Sequence, residues 1–507
     1  MKTIAEIWNS AVDAYAKLPA VRWLVKKDIE EISYKELDEE VCAIRNSLAS
    51  EGFSGSHISL IGTASRYWMA AYLGITTGDN VAVPLDAGLP AEDLLELLER
   101  ADVEALFLSP KLKALAEQVK EKCPKVRKIW ILQEEAADGI DAVTSLISVG
   151  KNISSDVTCD ADNIATIIFT SGTTGKSKGV MLTQSNLAEN VINVPFESEP
   201  GNVLLSVLPI HHAFCLVMDW LKGFTCGAVL CINDSFMHMV RNMSIFKPDV
   251  MLMVPLMIET IYKKLAVSDP SIPKQALYEN VFGGKLRIIF TGGAHLDPFY
   301  IEKFAEYGID VLEGYGMSEC SPVISNNMPQ FHKAGSIGKP LANAEIKIDE
   351  SGEILVKGSS VMKGYYKMPE ETAETLKDGW LHTGDKGYLD EDGFLFINGR
   401  VKNLIILSNG ENISPEEIEN KLALNPLVGE VIVTGEENGL IARIYPDQDV
   451  VAAKELDEAT IKAGLQAMLD EYNKNQPTYR QIIGLVVRQE PFVRNATGKI
   501  KRADAAL

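Results

Sequence analysis

The sequence has no excess of positive charge. Of its 507 residues, 49 are lysine or arginine and 70 are aspartate or glutamate, which gives a formal net charge of -21. Nucleic acids and anionic membranes both attract proteins that carry a basic face. This charge therefore argues against either as a general partner. A site for a polyanion must instead create local positive potential from backbone amides and a few lysines.

The sequence also lacks paired cysteines. Its seven cysteines are an odd number, and no CxxC motif occurs among them. They are Cys42, Cys123, Cys159, Cys215, Cys226, Cys231 and Cys320. This usage predicts a reducing compartment, with no zinc site and no framework of disulfide bonds.

Long hydrophobic runs are missing as well. The most apolar stretch, 250–258, is bracketed by Asp249 and Glu259, and it is far shorter than the roughly 20 residues that span a bilayer. The first eight residues contain no apolar core of a signal peptide. We therefore expect a cytoplasmic protein without an integral membrane segment.

The sequence does contain an alternation of short apolar runs with amphipathic segments. Buried strands are predicted at 58–61, 81–84, 105–108 and 129–132, and a leucine-rich helix at 90–101. Strands that alternate with helices predict an α/β fold whose sheet is mostly parallel and covered on both faces. At roughly 150 residues per domain, the length suggests about three domains or subdomains.

After residue 335 the pattern changes to shorter strands with turn signals, as in a small β subdomain. A compact α+β pattern follows it, and a domain boundary is predicted near Lys402. The elements predicted here are strands at 344–348, 352–356, 393–397, 429–434 and 440–445 and helices at 415–424 and 460–473.

Three predicted strands end in loops that contain glycine. The strand 164–169 leads into the loop 170–179. The strands 286–290 and 310–312 lead into Thr291-Gly292-Gly293-Ala294 and Glu313-Gly314-Tyr315-Gly316. Because ligands bind beyond the carboxyl ends of parallel strands, we expect the three loops to form one site.

The first of these loops has the composition of a phosphate-binding loop. It reads Thr170-Ser171-Gly172-Thr173-Thr174-Gly175-Lys176-Ser177-Lys178-Gly179. Glycines let backbone N–H groups approach a phosphate, hydroxyls donate to it, and lysines neutralise it. Gly172 and Gly175 are separated by two residues, whereas a Walker A loop needs four between its glycines. A flexible turn of small polar residues is the alternative interpretation.

Segment 169–179 resembles the phosphate-loop signature of the acyl-adenylate-forming, or AMP-binding, superfamily. Five further segments match that family in the same order. They are Leu208-Pro209-Ile210-His211-His212-Ala213-Phe214, Tyr315-Gly316-Met317-Ser318-Glu319, Gly379-Trp380-Leu381-His382-Thr383-Gly384-Asp385, Gly399-Arg400-Val401-Lys402 and Asn495-Ala496-Thr497-Gly498-Lys499-Ile500-Lys501-Arg502. The stretch 404–419 looks most like bacterial long-chain fatty acyl-CoA synthetases.

This resemblance implies an architecture. Residues 1–398 would form a large AMP-binding domain of two mostly parallel sheets sandwiched by helices, plus the small β subdomain. Residues 399–403 would form a hinge, with Lys402 on the hinge position. Residues 404–507 would form a small mobile α+β domain that carries the catalytic lysine.

The resemblance also implies roles for individual residues. Lys499 would contact the α-phosphate and the attacking carboxylate, and Glu319 would hold Mg²⁺. Tyr315 would stack on adenine. Asp385 would accept the ribose hydroxyls with Arg400 as its partner. The implied nucleotide- and thiol-binding residues are Thr170, Ser171, Gly172, Thr173, Thr174, Gly175, Lys176, Lys178, Gly292, Gly293, Ala294, Glu313, Gly314, Tyr315, Gly316, Met317, Ser318, Asp385, Arg400, Lys402 and Gly410.

The acid-binding side is less well defined by the sequence. His212, after His211, falls on the family's aromatic gate beside the acyl carboxylate. His295 stands where the family commonly has a small residue or proline, so acyl specificity does not carry over. Six methionines lie between 237 and 257. They are interpreted either as ordinary core or as the wall of an acyl tunnel.

The implied reaction uses ATP, Mg²⁺ and CoA to convert a carboxylic acid, first to an acyl-adenylate and then to a thioester. Two alternatives remain open at this point. The acceptor could be the phosphopantetheine thiol of an acyl carrier protein. The chain could also be a non-catalytic nucleotide-binding relative, although the presence of Glu319, Asp385, Arg400 and Lys499 argues against that.

Overall fold

The structure is a computed structural model. It describes residues 2–170, 177–196, 198–266, 269, 271–406, 412–436, 439–494, 500 and 502. The chain forms two compact units, the first made of 1–346 and 356–381, the second of 347–355 and 382–507.

The α-helices, in chain order, are α1 Ile4–Tyr15, α2 Tyr34–Ser50, α3 Arg66–Thr76, α4 Ala91–Arg100, α5 Leu115–Lys122, α6 Val143–Gly150, α7 Gln184–Asn193, α8 Lys222–Thr225, α9 Met239–Phe246, α10 Pro255–Ala266, α11 Lys274–Phe282, α12 Pro298–Ala305, α13 Pro369–Thr375, α14 Pro415–Leu422, α15 Gln448–Ala453 and α16 Glu458–Lys474.

The strands are β1 Pro19–Val25, β2 Asp28–Ser33, β3 His57–Ile61, β4 Val81–Leu85, β5 Ala105–Leu108, β6 Lys128–Ile131, β7 Asp141–Ala142, β8 Ile164–Thr170, β9 Lys178–Thr183, β10 Val203–Ser206, β11 Val229–Ile232, β12 Val250–Met253, β13 Ile288–Thr291, β14 Asp310–Gly316, β15 Val323–Asn326, β16 Lys339–Pro340, β17 Ala344–Ile348, β18 Glu353–Gly358, β19 Gly364–Tyr365, β20 Leu376–Lys377, β21 Trp380–Leu389, β22 Leu395–Arg400, β23 Ile405–Ile406, β24 Asn412–Ile413, β25 Val428–Glu436, β26 Gly439–Pro446 and β27 Ile482–Val487.

The first unit contains two mixed sheets. One has the order β16-β15-β14-β13-β12-β10-β11-β1-β2, and the other β19-β9-β8-β4-β3-β5-β6-β7. The central pairs of both sheets are parallel, as between β12, β13 and β14 and between β4, β3 and β5. Antiparallel strands are added at the sides that carry β9 and β15. The predicted α/β class and its two mostly parallel sheets are confirmed.

Helix α4 shows why the sequence pattern predicts these elements well. Its four leucines, two pairs spaced three residues apart, are all buried, while Glu92, Asp93 and Arg100 lie outside the apolar face. Acidic residues in the first turn and a basic one in the last complement the helix dipole. The predicted range 90–101 and the observed helix Ala91–Arg100 differ by one residue at each end.

The second unit has its own core. Strands β25 and β26 pair antiparallel, and β26 pairs parallel with β27. Buried apolar residues of α14 and α16 pack against this sheet. In the same unit, β21 turns back into β22 and pairs Asp385 with Arg400. The compact units thus divide the chain at 381/382, upstream of the predicted hinge at 399–403, and the hinge itself stays a prediction.

Two arginines near the end of the chain are held by glutamates, of which Glu419 is buried and Glu430 is partly buried. Arg494 donates to Glu430 through Nε at 3.2 Å and Nη2 at 2.6 Å. Arg502 donates to both carboxylate oxygens of Glu419, with Nη1 and Oε1 separated by 3.0 Å. Paired N–H bonds from one guanidinium to one carboxylate fix direction as well as distance. Arg494 is therefore attached to β25, and Arg502 to α14.

Within the described ranges, no helix is long and apolar enough to cross a membrane. Five of the six methionines between 237 and 257 are buried, and Met237 is exposed. Ordinary core packing accounts for those five, and the acyl-tunnel interpretation is untested.

A buried carboxyl group lies in the helix that follows His211-His212. Residues Phe214–Leu221 form a π-helix, a form that occurs frequently at functional sites. Asp219 within it is fully buried, and its Oδ2 accepts from Ser206 Oγ at 3.0 Å. Oδ1 has no hydrogen-bond partner among the described residues. Burial raises the pKa of Asp219 from 3.8 to about 7.

We expect Asp219→Asn to become progressively more stable than wild type as the pH rises. The folded-state pKa lies above the unfolded one, so the stabilisation from Asp219 is fully present below pH 3.8 and is lost as pH rises through about 7. A shift of about three pKa units corresponds to about 4 kcal/mol. Urea unfolding of both proteins at about pH 4 and about pH 8 measures this difference.

The matched control is Asp141→Asn, which changes an exposed aspartate on β7. It removes one carboxylate from the surface, and so measures the part of the difference that comes from losing any carboxylate. A pH-independent difference for Asp219→Asn would show that the buried carboxyl does not titrate as described.

Candidate active site

Strands β8 and β9 form a hairpin whose connection is the predicted phosphate loop. Thr170 at the end of β8 pairs with Lys178 at the start of β9. Residues Ser171, Gly172, Thr173, Thr174, Gly175 and Lys176 lie outside the described residues. Thr170 and Lys178, on either side of them, belong to two strands of one sheet whose central residues are mostly buried. The loop is thus a hairpin connection rather than the strand-to-helix turn of a Walker A motif.

The other two predicted loops lie side by side, but only Gly292-Gly293-Ala294 follows its strand, β13. Residues 313–316, predicted as a loop, are instead the last part of β14, which runs from Asp310 to Gly316. Thr291 pairs with Glu313 in the parallel register. A Cβ on Gly292 would come within 2.9 Å of the Gly314 carbonyl oxygen, so only glycine allows this approach. A Cβ on Gly316 would come within 2.0 Å of the Pro322 carbonyl oxygen. The structure therefore brings Gly292, Gly293, Ala294 and the end of β14, residues 313–316, to one sheet edge.

Glu319, the predicted magnesium ligand, sits in a short 3₁₀ turn that follows β14. The turn covers Ser318–Cys320, and Met317 N donates to Pro322 O at 2.9 Å. Asn190 of α7 holds the same turn, because its Nδ2 donates to Cys320 O at 3.1 Å. The Glu319 side chain is buried, at 8% exposure.

A tyrosine that the sequence analysis did not single out contacts both Glu319 and Lys178. The Tyr365 hydroxyl donates to Glu319 Oε1 at 2.8 Å. Lys178 Nζ lies 4.7 Å from the centroid of the Tyr365 ring, within cation–π range. Its only sequence signal is a Gly-Tyr-Tyr run at 364–366, which is typical of an ordinary strand. The contact with Glu319 depends on tertiary structure.

Glu319 has the chemistry of a magnesium ligand. Mg²⁺ prefers carboxylate oxygens and is usually held by one or two carboxylates together with substrate phosphates. In the described part of the chain, no three histidine, cysteine, aspartate or glutamate residues are grouped to hold a metal by themselves. One buried carboxylate near the phosphate hairpin fits the shared arrangement better than an all-protein site.

Glu313 is a buried residue of β14, and its environment is unusual for a carboxylate. Burial raises its pKa to about 8, although the backbone N–H of Leu296 donates to it. Oε2 has no hydrogen-bond partner among the described residues. The bond to Leu296 ties β14 to the segment after Gly292-Gly293-Ala294. Its predicted contact with nucleotide is untested.

The histidine pair lies before the π-helix. The two rings are 4.1 Å apart, and His211 Nε2 is 3.8 Å from Asp86 Oδ2. Burial, with the neighbouring His212, lowers the pKa of His211 to about 4. His211 is therefore neutral near pH 7, while His212 is exposed. A neutral His211 suits a gate beside an acyl group better than a cationic clamp would.

In the second unit, the predicted ribose-binding residues form an ion pair. Arg400 Nε lies 3.0 Å from Asp385 Oδ1, and the two residues face each other across β21 and β22. The Asp385 side chain is 10% exposed and that of Arg400 is 52% exposed. Lys402 is exposed in the following 3₁₀ turn. Gly410 and Lys499 lie outside the described residues.

Two models of protein families match this chain, one over each of its two main parts. The family described as AMP-binding enzyme matches residues 8–366. The AMP-binding enzyme C-terminal domain matches residues 402–506.

Individual relatives agree with the family matches. Long-chain-fatty-acid–CoA ligase 5 of Mus musculus is 29% identical and covers 94% of this chain and 82% of its own length. The 2-succinylbenzoate–CoA ligase of Geobacillus kaustophilus is 32% identical over 86% of this chain and 89% of its own.

Solved structures share the fold. ATP-bound MatB from Rhodopseudomonas palustris superposes with a TM-score of 0.80 at 25% identity, over 99% of this chain and 98% of the other. The predicted resemblance is thus confirmed along nearly the whole length. The chain belongs to the AMP-binding enzyme family.

Proposed function

We propose that this protein activates a fatty acid, first as an acyl-adenylate and then as its CoA thioester. The chain is an AMP-forming acid–thiol ligase that uses ATP, Mg²⁺ and CoA. The choice of acid is the proposed part. It is supported by the long-chain-fatty-acid–CoA ligase of mouse, which matches 94% of this chain.

The observation that carries the adenylation step is the group of Lys178, Tyr365 and Glu319. A carboxylate is a poor acyl donor because oxide would have to leave, and adenylation replaces that leaving group with AMP. The acid's carboxylate oxygen attacks the α-phosphorus and the bond to pyrophosphate breaks. Lys178 supplies positive charge at the end of the phosphate hairpin, where charge accumulates in the transition state. Glu319 would hold Mg²⁺, which neutralises phosphate charge when bound.

In the second step the thiolate of CoA attacks the acyl carbonyl, the carbonyl carbon–oxygen bond to AMP breaks, and AMP departs. Asp385 offers a carboxylate that can accept the hydroxyls of the ribose, while Arg400 holds that carboxylate in place. By family resemblance, Lys402 acts at a hinge and Gly410 beside the thiol. A hinge lets one site serve two steps with different demands for space.

We expect AMP release with CoA to be fastest for fatty acids in a panel that also contains 2-succinylbenzoate, other aromatic acids and short-chain acids. An apolar pocket discriminates by about 1–3 kcal/mol per methylene, or roughly 10- to 200-fold, so a chain-length optimum should be clear. The measurement is AMP formed per acid at fixed ATP and CoA.

The same panel tests the alternatives. A preference for 2-succinylbenzoate would show that the substrate is an aromatic dicarboxylate and not a fatty acid. Release of AMP only when an acyl carrier protein is supplied would identify a different acceptor. No AMP release with any acid, under either condition, would contradict the proposed function.

We expect Lys499→Ala to lower pyrophosphate release from ATP and acid by about 100-fold or more, the usual cost of removing one stabilising charge from a transition state. Thioester formation from supplied acyl-adenylate and CoA should be largely spared. Lys501→Ala, two residues away, is the matched control and should affect neither step strongly. Equal losses in both half-reactions of Lys499→Ala would contradict its assignment to adenylation.

A further inference from the structure

The segment 362–366 connects the two sheets of the first unit at the candidate site. Met362 N donates to Glu319 O at 2.8 Å, so the segment begins on the turn that follows β14. Tyr366 N donates to Gly179 O at 2.8 Å, and β19 pairs antiparallel with β9. The same five residues therefore bond to the Glu319 turn of one sheet and to the phosphate hairpin of the other.

The Tyr365 side chain also contacts both sheets, in this case through the charged side chains of Glu319 and Lys178. Its hydroxyl donates to Glu319 Oε1 at 2.8 Å, and its ring lies under Lys178 Nζ at 4.7 Å. Thr375, the last residue of α13, is a further hydrogen-bond partner of the hydroxyl. The phenol is thus oriented from one side by Thr375 and directed at Glu319 on the other.

The surroundings hold this hydroxyl in one direction. Tyr365 is 5% exposed. Its hydroxyl donates a hydrogen bond that Glu319 Oε1 accepts. One carboxylate oxygen is then fixed, which sets the direction of the other.

We infer that Tyr365 is a positioning residue that orients Glu319 toward Mg²⁺ and Lys178 toward the phosphates of ATP. The inference rests on the proposed function, because it assumes that Glu319 is the magnesium ligand of adenylation. Without the hydroxyl, Oε1 would be a buried carboxylate oxygen that lacks this donor, which is costly. The carboxylate would then turn away from the orientation that suits the metal.

A purely structural role makes a different prediction. If Tyr365 only filled space, phenylalanine would serve equally well, since the ring and its contact with Lys178 remain. The neighbouring Tyr366 is the matched control. Tyr366 is partly buried, and its hydroxyl also donates to a carboxylate, but that carboxylate is Asp102, which is ion-paired with Lys125.

The test compares Tyr365→Phe with Tyr366→Phe. The first readout is the rise in thermal unfolding midpoint that ATP produces as Mg²⁺ is titrated, without acid or CoA. The second is the Mg²⁺ concentration that gives half-maximal pyrophosphate release. In Tyr365→Phe, the Mg²⁺ concentration that gives half of the full effect should rise about tenfold in both readouts, which is the scale of one hydrogen bond to a charged group. Both effects should recover at high Mg²⁺. In Tyr366→Phe neither should move.

Unchanged Mg²⁺ dependence in Tyr365→Phe, or equal shifts in both variants, would overturn the inference. Failure of the proposed function looks different, because wild type would then show no Mg²⁺-dependent stabilisation by ATP and no pyrophosphate release. Tyr365→Leu tests the contact with Lys178. Because it removes the ring as well, its KM for ATP should rise several-fold above that of Tyr365→Phe. Equal KM values would remove Lys178 from the proposal.

Discussion

The two sheets of the larger unit are joined at the candidate site by hydrogen bonds to the Glu319 turn. One bond comes from the backbone of Met362 and another from the hydroxyl of Tyr365. Because β19 is simultaneously paired with β9, the position of Glu319 is tied to the strand that begins at Lys178. A phosphate-binding loop and a metal-binding carboxylate can act together only if this distance is fixed. The hydrogen bonds from Met362 and Tyr365 to the Glu319 turn supply that constraint.

The charge of the chain makes such fixed positions important. A protein with a formal net charge of -21 does not attract ATP by its overall field. Two described cations of the predicted site are held in place by neighbouring side chains. Lys178 lies over an aromatic ring and Arg400 is paired with Asp385. Each is restrained before any ligand arrives, so less conformational entropy is lost on binding.

Much of the fold could be predicted from the sequence. Strands that are buried on both faces appear as short apolar runs, and amphipathic helices appear as a periodic spacing of leucines. β5 was predicted to the residue and α4 within one residue at each end. The glycine-bearing segments at 291–294 and 313–316 were expected to lie together, and the structure does bring them together, with Thr291 paired with Glu313. That 313–316 belongs to a strand was not predicted. Tyr365 could not be found this way, since its partners lie 46 and 187 positions away and its local pattern is that of any buried strand. Asp219 was missed for the same reason, because its burial depends on neighbours distant in the chain.

The account depends most directly on formation of an acyl-adenylate before any thiol is present. Exchange of labelled pyrophosphate into ATP, measured without CoA, reports that step alone. The account predicts exchange that requires both a carboxylic acid and Mg²⁺ and that is greatest with fatty acids. Absence of exchange with every acid, or exchange that needs CoA, would contradict it.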